Sequence, residues 1–332
     1  MGESLLPDRA DAQSLIDEYL TCDNATIDLM TEEYGYKNRS NFTDAMRRTY
    51  GVNRVRVGRT TPKQYTVDSD IFKNKFLKQD GIYYILDLGP DKKKVLVIND
   101  IHVPFQDKIT WNLILRVIKD NKPDIIVING DLIDFSQISK FVIDPKLRGT
   151  LEDDINDTRL LLGEIREAAP HAKIIFIAGN HEDRLRQYLW SRAPELSKMP
   201  DFDIPRQFRL DIFKIDYVPY NSTLILNDVF KVEHGDCVSK HSGWTAKAMF
   251  EKRGGNGMVG HCHRKGDHQK TINGDTNGWW ENGCLCDMNP SYTKEPNWQQ
   301  AFAMITFIGK WFSVYPVPII KHKFIFDGKL YE

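Results

Sequence analysis

Cysteine is scarce in this chain of 332 residues. Its five thiols, Cys22, Cys237, Cys262, Cys284 and Cys286, are too few and too odd in number for a disulfide-framed secreted scaffold and fit free thiols in a reducing compartment. Net charge is lacking too: 45 lysines and arginines stand against 46 aspartates and glutamates, so overall charge singles out no class of partner. No basic segment followed by an apolar one opens the sequence, and Leu6 stands where a myristoylation signal has Ser or Thr. The most apolar stretch, AFAMITFIGKWFSVYPVPII from 301, is interrupted by Gly309-Lys310, Pro316 and Pro318. It reads as two strands joined by a Gly-first turn, not as a membrane span. No membrane partner and a cytoplasmic location are therefore expected. There is no internal repeat or low-complexity tract, and 41% hydrophobic with 27% charged residues is ordinary globular composition.

What is present divides the chain. Residues 1–60 carry helical stripes: Leu15, Ile16, Tyr19 and Leu20; then Ile27, Met30 and Tyr34, ended by Gly35; then Phe42, Ala45, Met46 and Thr49, with Ser40 as N-cap and Gly51 as stop. This is a small helical, helix-turn-helix-like domain. Residues 61–94, with strand-like NRVRVGR just before them and GIYYILDLG within them, read as a β-rich arm or linker. From 95 to 332 the rhythm is strand, polar turn, helix. VLVIN, IIVIN (125–129) and IIFIA (174–178) are continuous β-branched runs, suited to strands buried on both faces of a sheet. Helical patterns at roughly 108–120 and 152–168 separate them, and STLILNDVFKVEHGD and FIFDGKLY add hairpins with Asn-Asp and Asp-Gly turns. The fold class expected is α/β: a two-sheet sandwich flanked by helices.

Chemistry-bearing residues follow the strand runs. Asp100 and His102 come after the first, Asp131 and Asp134 after the second, and Asn180 and His181 after the third; His234 ends VEH, and His261 and His263 end MVGHCH. Ligands of open α/β sheets gather at the carboxyl ends of strands, so these side chains should converge. Imidazole and carboxylate suit divalent transition ions, and a mixed N/O set without thiolate argues against a structural zinc. A two-ion site needs a shared anionic ligand. Asp131, at the tight turn of Gly130, is the natural bridge; Asp100, His102 and His263 complete one ion's shell, and Asn180, His234 and His261 the other's.

These motifs, DIH, GDLID, GNHE, HGD and GHCH in order between residue 95 and about 263, resemble the calcineurin-like metallophosphoesterases of bacterial and phage type. The resemblance implies a metallophosphoesterase-type sandwich, a dinuclear centre and hydrolysis of phosphate esters. It also implies catalytic roles for His181, as proton donor or phosphate ligand, and for Asp134 paired with it. GDLIDF lacks the Arg-Gly that follows this Asp in serine/threonine protein phosphatases, so that substrate class is not indicated. The expected cofactors are two divalent transition-metal ions, manganese first, with iron, zinc or nickel as alternatives; the expected location is the host cytoplasm if the chain is phage-encoded.

Substrate is less legible. Arg184, one helical turn after His181, is a candidate phosphate contact, with a salt-bridged helix residue as the alternative reading. Residues 1–36 hold one basic and nine acidic side chains, whereas 37–59 hold seven basic, among them Arg47, Arg48, Arg54, Arg56 and Arg59, and one acidic. This basic segment is a candidate DNA-backbone contact; a solvated face or a packing bundle is the alternative. The expected function is hydrolysis of phosphodiesters, with DNA as the candidate substrate. The alternatives are a small-molecule phosphatase or cyclic-nucleotide phosphodiesterase, and a DNA-binding protein with a vestigial site. Trp279, Trp280, Tyr292 and Trp298 read as a hydrophobic cap, with base stacking as the alternative. His171, His241, His268 and His322 read as surface or structural residues. Cys-X-Cys at 284–286, without a second pair, is a weak signal of a thiolate site.

Overall fold

The computed structural model describes residues 6, 15, 19, 24–50, 77–140, 149–289 and 296–332. The chain forms two compact units, Met1–Asp68 and Ser69–Glu332.

In the first unit, α1 (Asn24–Glu33) and α2 (Arg39–Tyr50) follow the apolar stripes. Between them Gly35 takes a left-handed turn, φ 71°, where a residue without Cβ is favoured. Leu15, Tyr19, Ile27, Met30, Phe42, Ala45 and Met46 make the core. The Phe42 ring stacks on Tyr34 and meets Tyr19 and Tyr36 edge-on, with centroids 5.5–6.0 Å away. Of the first expected helix, residues 15 and 19 are helical, and Ile16 and Leu20 lie outside the described residues. Two expectations change. The cap of α2 is Asn38, whose side-chain oxygen accepts the Asn41 N–H at 3.0 Å, because a cap must precede the first helical residue; Ser40 is already inside. Thr49 is exposed, not part of the stripe.

The second unit begins with β1 (Lys78–Asp80), β2 (Tyr83–Leu86), β3 (Lys92–Ile98), α3 (Lys108–Asn121), β4 (Ile125–Asn129) and α4 (Leu151–Ala168). It continues with β5 (Lys173–Ile177), α5 (Asn180–Arg192), β6 (Ile215–Val218), β7 (Thr223–Leu226), β8 (Phe230–Glu233), α6 (Trp244–Arg253) and β9 (Asn256–Val259). The last strands are β10 (Lys265–Ile272), β11 (Asp275–Asn282), β12 (Gln300–Ile308), β13 (Trp311–Ile319), β14 (Phe324–Phe326) and β15 (Lys329–Tyr331). One sheet has the order β13-β12-β3-β4-β5-β6, the other β1-β2-β7-β8-β9-β11-β10, and β14 and β15 form a separate ribbon. Strands β3 to β6 run parallel, each to the next.

Alternation along the parallel strands sets the layers. Val95, Val97, Val127, Ile175 and Ile177 turn toward the second sheet, meeting Leu224, Val232 and Met258. Their neighbours Leu96, Ile98, Ile126, Ile128, Ile174 and Phe176 turn the other way, against Ile114 and Val117 of α3 and Leu162 and Ile165 of α4. Each such side chain, fully buried, contributes roughly 1.5–3 kcal/mol, which explains why these strands read as unbroken apolar runs. Residues 78–86, assigned by sequence to an arm, are an edge of the seven-stranded sheet, with β2 parallel to β7. The expected hairpins form at Asn227-Asp228, Gly309-Lys310 and Asp327-Gly328. His322 is structural: its Nε2 lies 2.8 Å from Oδ2 of Asp107, whose other oxygen caps α3. Among the described residues, no helix is long and apolar enough to cross a membrane.

Candidate metal centre

The carboxyl ends of β3, β4 and β5 in one sheet and of β8 and β9 in the other open onto a single crevice, and sharp turns aim the side chains into it. Asp100, His102, Asp131, His261 and His263 all have left-handed backbones, with φ between 49° and 64°. Such conformations cost roughly 1–3 kcal/mol each in non-glycine residues and must be imposed by surrounding packing. Gly130, also left-handed at φ 82°, leaves room that a Cβ would take from the His234 ring, and a Cβ on Gly179 would run into the Asp131 carboxylate. Both glycines are thus needed for close approach.

The two central aspartates are built alike. Oδ2 of Asp100 accepts the Asn99 amide and the His261 N–H, while its Oδ1, buried and without a hydrogen bond, faces His263 Nε2 at 3.1 Å and His102 Nε2 at 3.9 Å. Oδ1 of Asp131 accepts the His181 N–H at 2.9 Å. Its Oδ2 faces His234 Nε2 at 3.2 Å and His102 and His181 Nε2 at 3.8 Å. Each carboxylate therefore uses one oxygen to fix a neighbouring loop and presents the other to imidazoles.

Tautomers sharpen the case. His234 Nδ1 lies 2.9 Å from the Asn129 carbonyl, which can only accept, so a neutral His234 ring presents a lone pair at Nε2. That lone pair faces Asp131 Oδ2 and, at 3.1 Å, Asn180 Oδ1. Three acceptors aimed at one point require a cation between them, a proton or a metal ion. On the other side, His102 and His263 bring their Nε2 atoms within 3.0 Å of each other, and His102 Nδ1 meets Asp134 Oδ2 at 3.2 Å. The donor atoms of Asp100, His102, Asp131 and His263, and those of Asp131, His234 and His261, form two groups able to hold an ion. Asp131 is common to both. The residues present thus fit a pair of divalent ions.

His181 and Arg184 stand beside this centre, both half-buried. His181 Nδ1 lies 2.9 Å from the Asp134 carbonyl, so its Nε2 accepts, and Arg184 Nη2 donates to it at 2.9 Å. Arg184 Nη1 donates to the same Asp134 carbonyl at 2.8 Å. Burial holds His181 below the ordinary histidine range, with Asp131 opposing and the neighbouring His102 charge reinforcing. Arg184, open between a phosphate contact and a salt-bridged helix residue on sequence grounds, is in the crevice and salt-bridged there, its Nη1 3.6 Å from Asp134 Oδ1. Of the other candidates, Arg48 is exposed on α2, donating to the Asp44 carbonyl. The side chain of Arg47 lies outside the described residues, as do Arg54, Arg56, Arg59 and Tyr292. Trp279 is buried under α6 and Trp280 stacks on Phe230, as a hydrophobic cap requires, whereas Trp298 packs edge-on against His263, centroids 4.4 Å apart.

Glu182 was not singled out by sequence reasoning. It is buried, and its two oxygens accept the backbone N–H groups of Asp131 (3.0 Å), Leu132 (2.8 Å), Ile133 (3.2 Å) and Gly179 (2.6 Å). It thereby ties the turn after β4 to the turn after β5. Burial and the Asp131 charge push its carboxyl up to about 7, against the donors that favour the ionised form. An acidic residue in the first turn of a helix was the one available signal.

Residues 93–300, more than half of the chain, match the family model of the calcineurin-like phosphoesterases. The chain belongs to that family. It is accordingly a metal-dependent phosphoesterase of the calcineurin-like type. The gene 54 proteins of Mycobacterium phages L5 and D29 are each 28% identical to it, over 258 and 271 residues, 72% of this chain and 99% of theirs. Among solved structures, Vps29 from Chaetomium thermophilum is similar at a TM-score of 0.39 and 11% identity, covering 69% of this chain and 87% of that one. YfcE, a phosphoesterase from E. coli, is similar at a TM-score of 0.32 and 12% identity, covering 65% and 91%.

Two measurements test this phosphoesterase's centre. Burial opposes the imidazolium, yet Asp131 and the Asn129 carbonyl lift His234 to about 9, and Asp100 with Cys286 lifts His263 to about 9. In the ion-free protein this contribution to stability is complete below the unfolded value near 6.5 and is lost as pH rises through about 9. Ion affinity should change the opposite way, strengthening up to about pH 9, with proton release. Calorimetric titration with Mn²⁺ at about pH 7, in buffers of different ionisation enthalpy, should register at least one proton released per chain. Separately, Glu182→Gln puts an amide NH₂ against N–H donors and should cost about 2–4 kcal/mol in urea denaturation.

Proposed function

We propose that this phosphoesterase hydrolyses phosphodiester bonds with two divalent ions, manganese first, and that DNA is its substrate. The observation that carries the catalytic reading is the pair of buried aspartates, each with one oxygen fixed by an N–H donor and the other facing imidazole nitrogens. Asp100, His102 and His263 would hold one ion, Asn180, His234 and His261 the other, and Asp131 both. When bound, such a pair stabilises charge on phosphate oxygens and lowers the pKa of water from 15.7 toward about 7.

The protein's own residues then act around the phosphate. Asp134 receives His102 Nδ1 with its carboxylate and His181 Nδ1 with its carbonyl, so it orients one ligand and the proton donor together. Substrate phosphate takes the Arg184 guanidinium from His181 Nε2, and its negative charge favours the imidazolium, so that nitrogen takes up a proton from water and passes it to the leaving oxygen. The basic run from Lys37 to Arg59 supports DNA, since contacts by lysine and arginine to a phosphate backbone bring it close as a tethered substrate. The phage relatives support the host cytoplasm as the place of action.

Two experiments decide these points. Asp131→Asn should lower the content of both ions in elemental analysis, whereas His181→Ala should keep both and lose about 10²- to 10⁴-fold in kcat, less with a good leaving group; a His181 variant that loses metal in proportion to activity refutes the proton-donor role. For the substrate, Mn²⁺-dependent DNA cleavage should fall steeply from low to physiological salt. The pair Arg47→Glu and Arg48→Glu should weaken DNA binding and cleavage while sparing bis(p-nitrophenyl) phosphate. Absence of DNA affinity at low salt would make a small-molecule phosphodiesterase the better account.

A further inference from the structure

His263 has a second face. Its Nε2 points to Asp100 and His102, and its Nδ1 points away from them, toward sulfur. After β11 the chain runs extended through Cys284, bridged to Gln300, and Cys286, bridged to Gln106, so side chains two residues apart emerge on one side. Cys286 Sγ lies 3.9 Å from His263 Nδ1, and Cys284 Sγ lies 3.9 Å from the sulfur of half-buried Met288. Cys284, Cys286 and His263 are all buried, and their donor atoms lie within 4.8 Å of one another.

The spacing suits a small tetrahedral ion. With metal bonds of about 2.3 Å to thiolate and about 2.0–2.1 Å to imidazole, donor atoms around such an ion stand roughly 3.5–3.8 Å apart. Closing the observed separations to that range needs small side-chain shifts. The donor set is also distinct in kind. Two thiols, a thioether and an imidazole are soft ligands, selective for Zn²⁺ or Cu⁺, whereas the neighbouring carboxylates, amide and imidazoles suit harder ions.

We propose that Cys284, Cys286, Met288 and His263 Nδ1 bind a third, thiophilic ion, with His263 bridging it to the catalytic centre. Loading displaces the two thiol protons and the Nδ1 proton to solvent. The ion would lock the His263 ring from behind, in the position that a carboxylate or carbonyl usually takes behind a metal-bound histidine. The inference rests on the proposed catalytic reading only for the bridging role of His263.

Cobalt separates the two kinds of site. Co²⁺ bound by thiolate gives a near-ultraviolet charge-transfer band that a nitrogen and oxygen centre does not. The full-length protein titrated with Co²⁺ should develop this band and hold three ions per chain at saturation. The double variant Cys284→Ser/Cys286→Ser should lack it and hold one ion fewer. No band in the wild type, or a band that survives in the double variant, overturns the proposal. A second measurement avoids any folding defect of the variant: because both thiols are buried, wild-type protein is alkylated through opening in sub-denaturing urea. There Zn²⁺ should slow labelling of Cys284 and Cys286 more than that of the equally buried Cys262 and a chelator should reverse this, and equal slowing at all three overturns the proposal. Should the charge-transfer band appear while total bound cobalt stays at one ion per chain, the dinuclear reading fails and the thiolate site stands. Elemental analysis of the protein as purified assigns zinc or copper.

Discussion

Two carboxylates, Asp100 and Asp131, are buried at the meeting of two sheets, and among the described residues their ion-pair partners are histidines alone. Burying such charges without compensation is costly enough that a protein would neutralise them instead. The arrangement therefore requires positive charge in the crevice, and the surrounding imidazoles supply it only when protonated or when they share an ion with the carboxylates. Tight turns, glycines and tautomers around the crevice are consistent with that single electrostatic demand. Glu182 adds a third buried carboxylate of another kind, one whose needs are met entirely by backbone N–H groups. It serves as a brace between loops.

The features most legible in the sequence were those in which local chemistry and tertiary environment agree. Val95 to Ile98, Ile125 to Asn129 and Ile174 to Ile177 are apolar at every position because both faces of the sheet are covered, so their identity as strands was readable without the fold. The Asp and His residues at their ends stood out as a pattern repeated over several strand ends, not singly, and the structure brings their donor atoms together. The hairpin of β10 and β11 is different. Its first strand, Lys265–Ile272, is largely exposed and shows no apolar alternation, so the Asn273-Gly274 turn was its only sign. Residues 78–86 resemble an arm in sequence because they are a short edge, whose place depends on pairing with a strand about 140 positions later. Arg184, a candidate on sequence grounds, is seen to meet His181 only because α5 starts inside the crevice, and the approach of Cys286 to His263 is visible only in the fold.

Strain and bracing are linked in this molecule. Five residues of the crevice have left-handed backbones, a state that the local sequence alone would abandon. They are held by long-range bonds: Asp100 N–H to the Gly130 carbonyl at 3.0 Å, His102 N–H to the Asp131 carbonyl at 3.0 Å, and Leu285 N–H to the Asp100 carbonyl at 3.0 Å. Each strained turn is therefore stabilised by another turn, and the crevice holds its shape as a unit.

The candidate ligands are divided between the sheets. Asp100, His102, Asp131 and Asn180 follow strands of one sheet, and His234, His261 and His263 follow strands of the other. A chain in which only the first sheet has formed has both carboxylates and the His102 imidazole but lacks His234, His261 and His263, so neither donor group is complete. Ions held as proposed would stabilise the closed sandwich over any species whose sheets have parted.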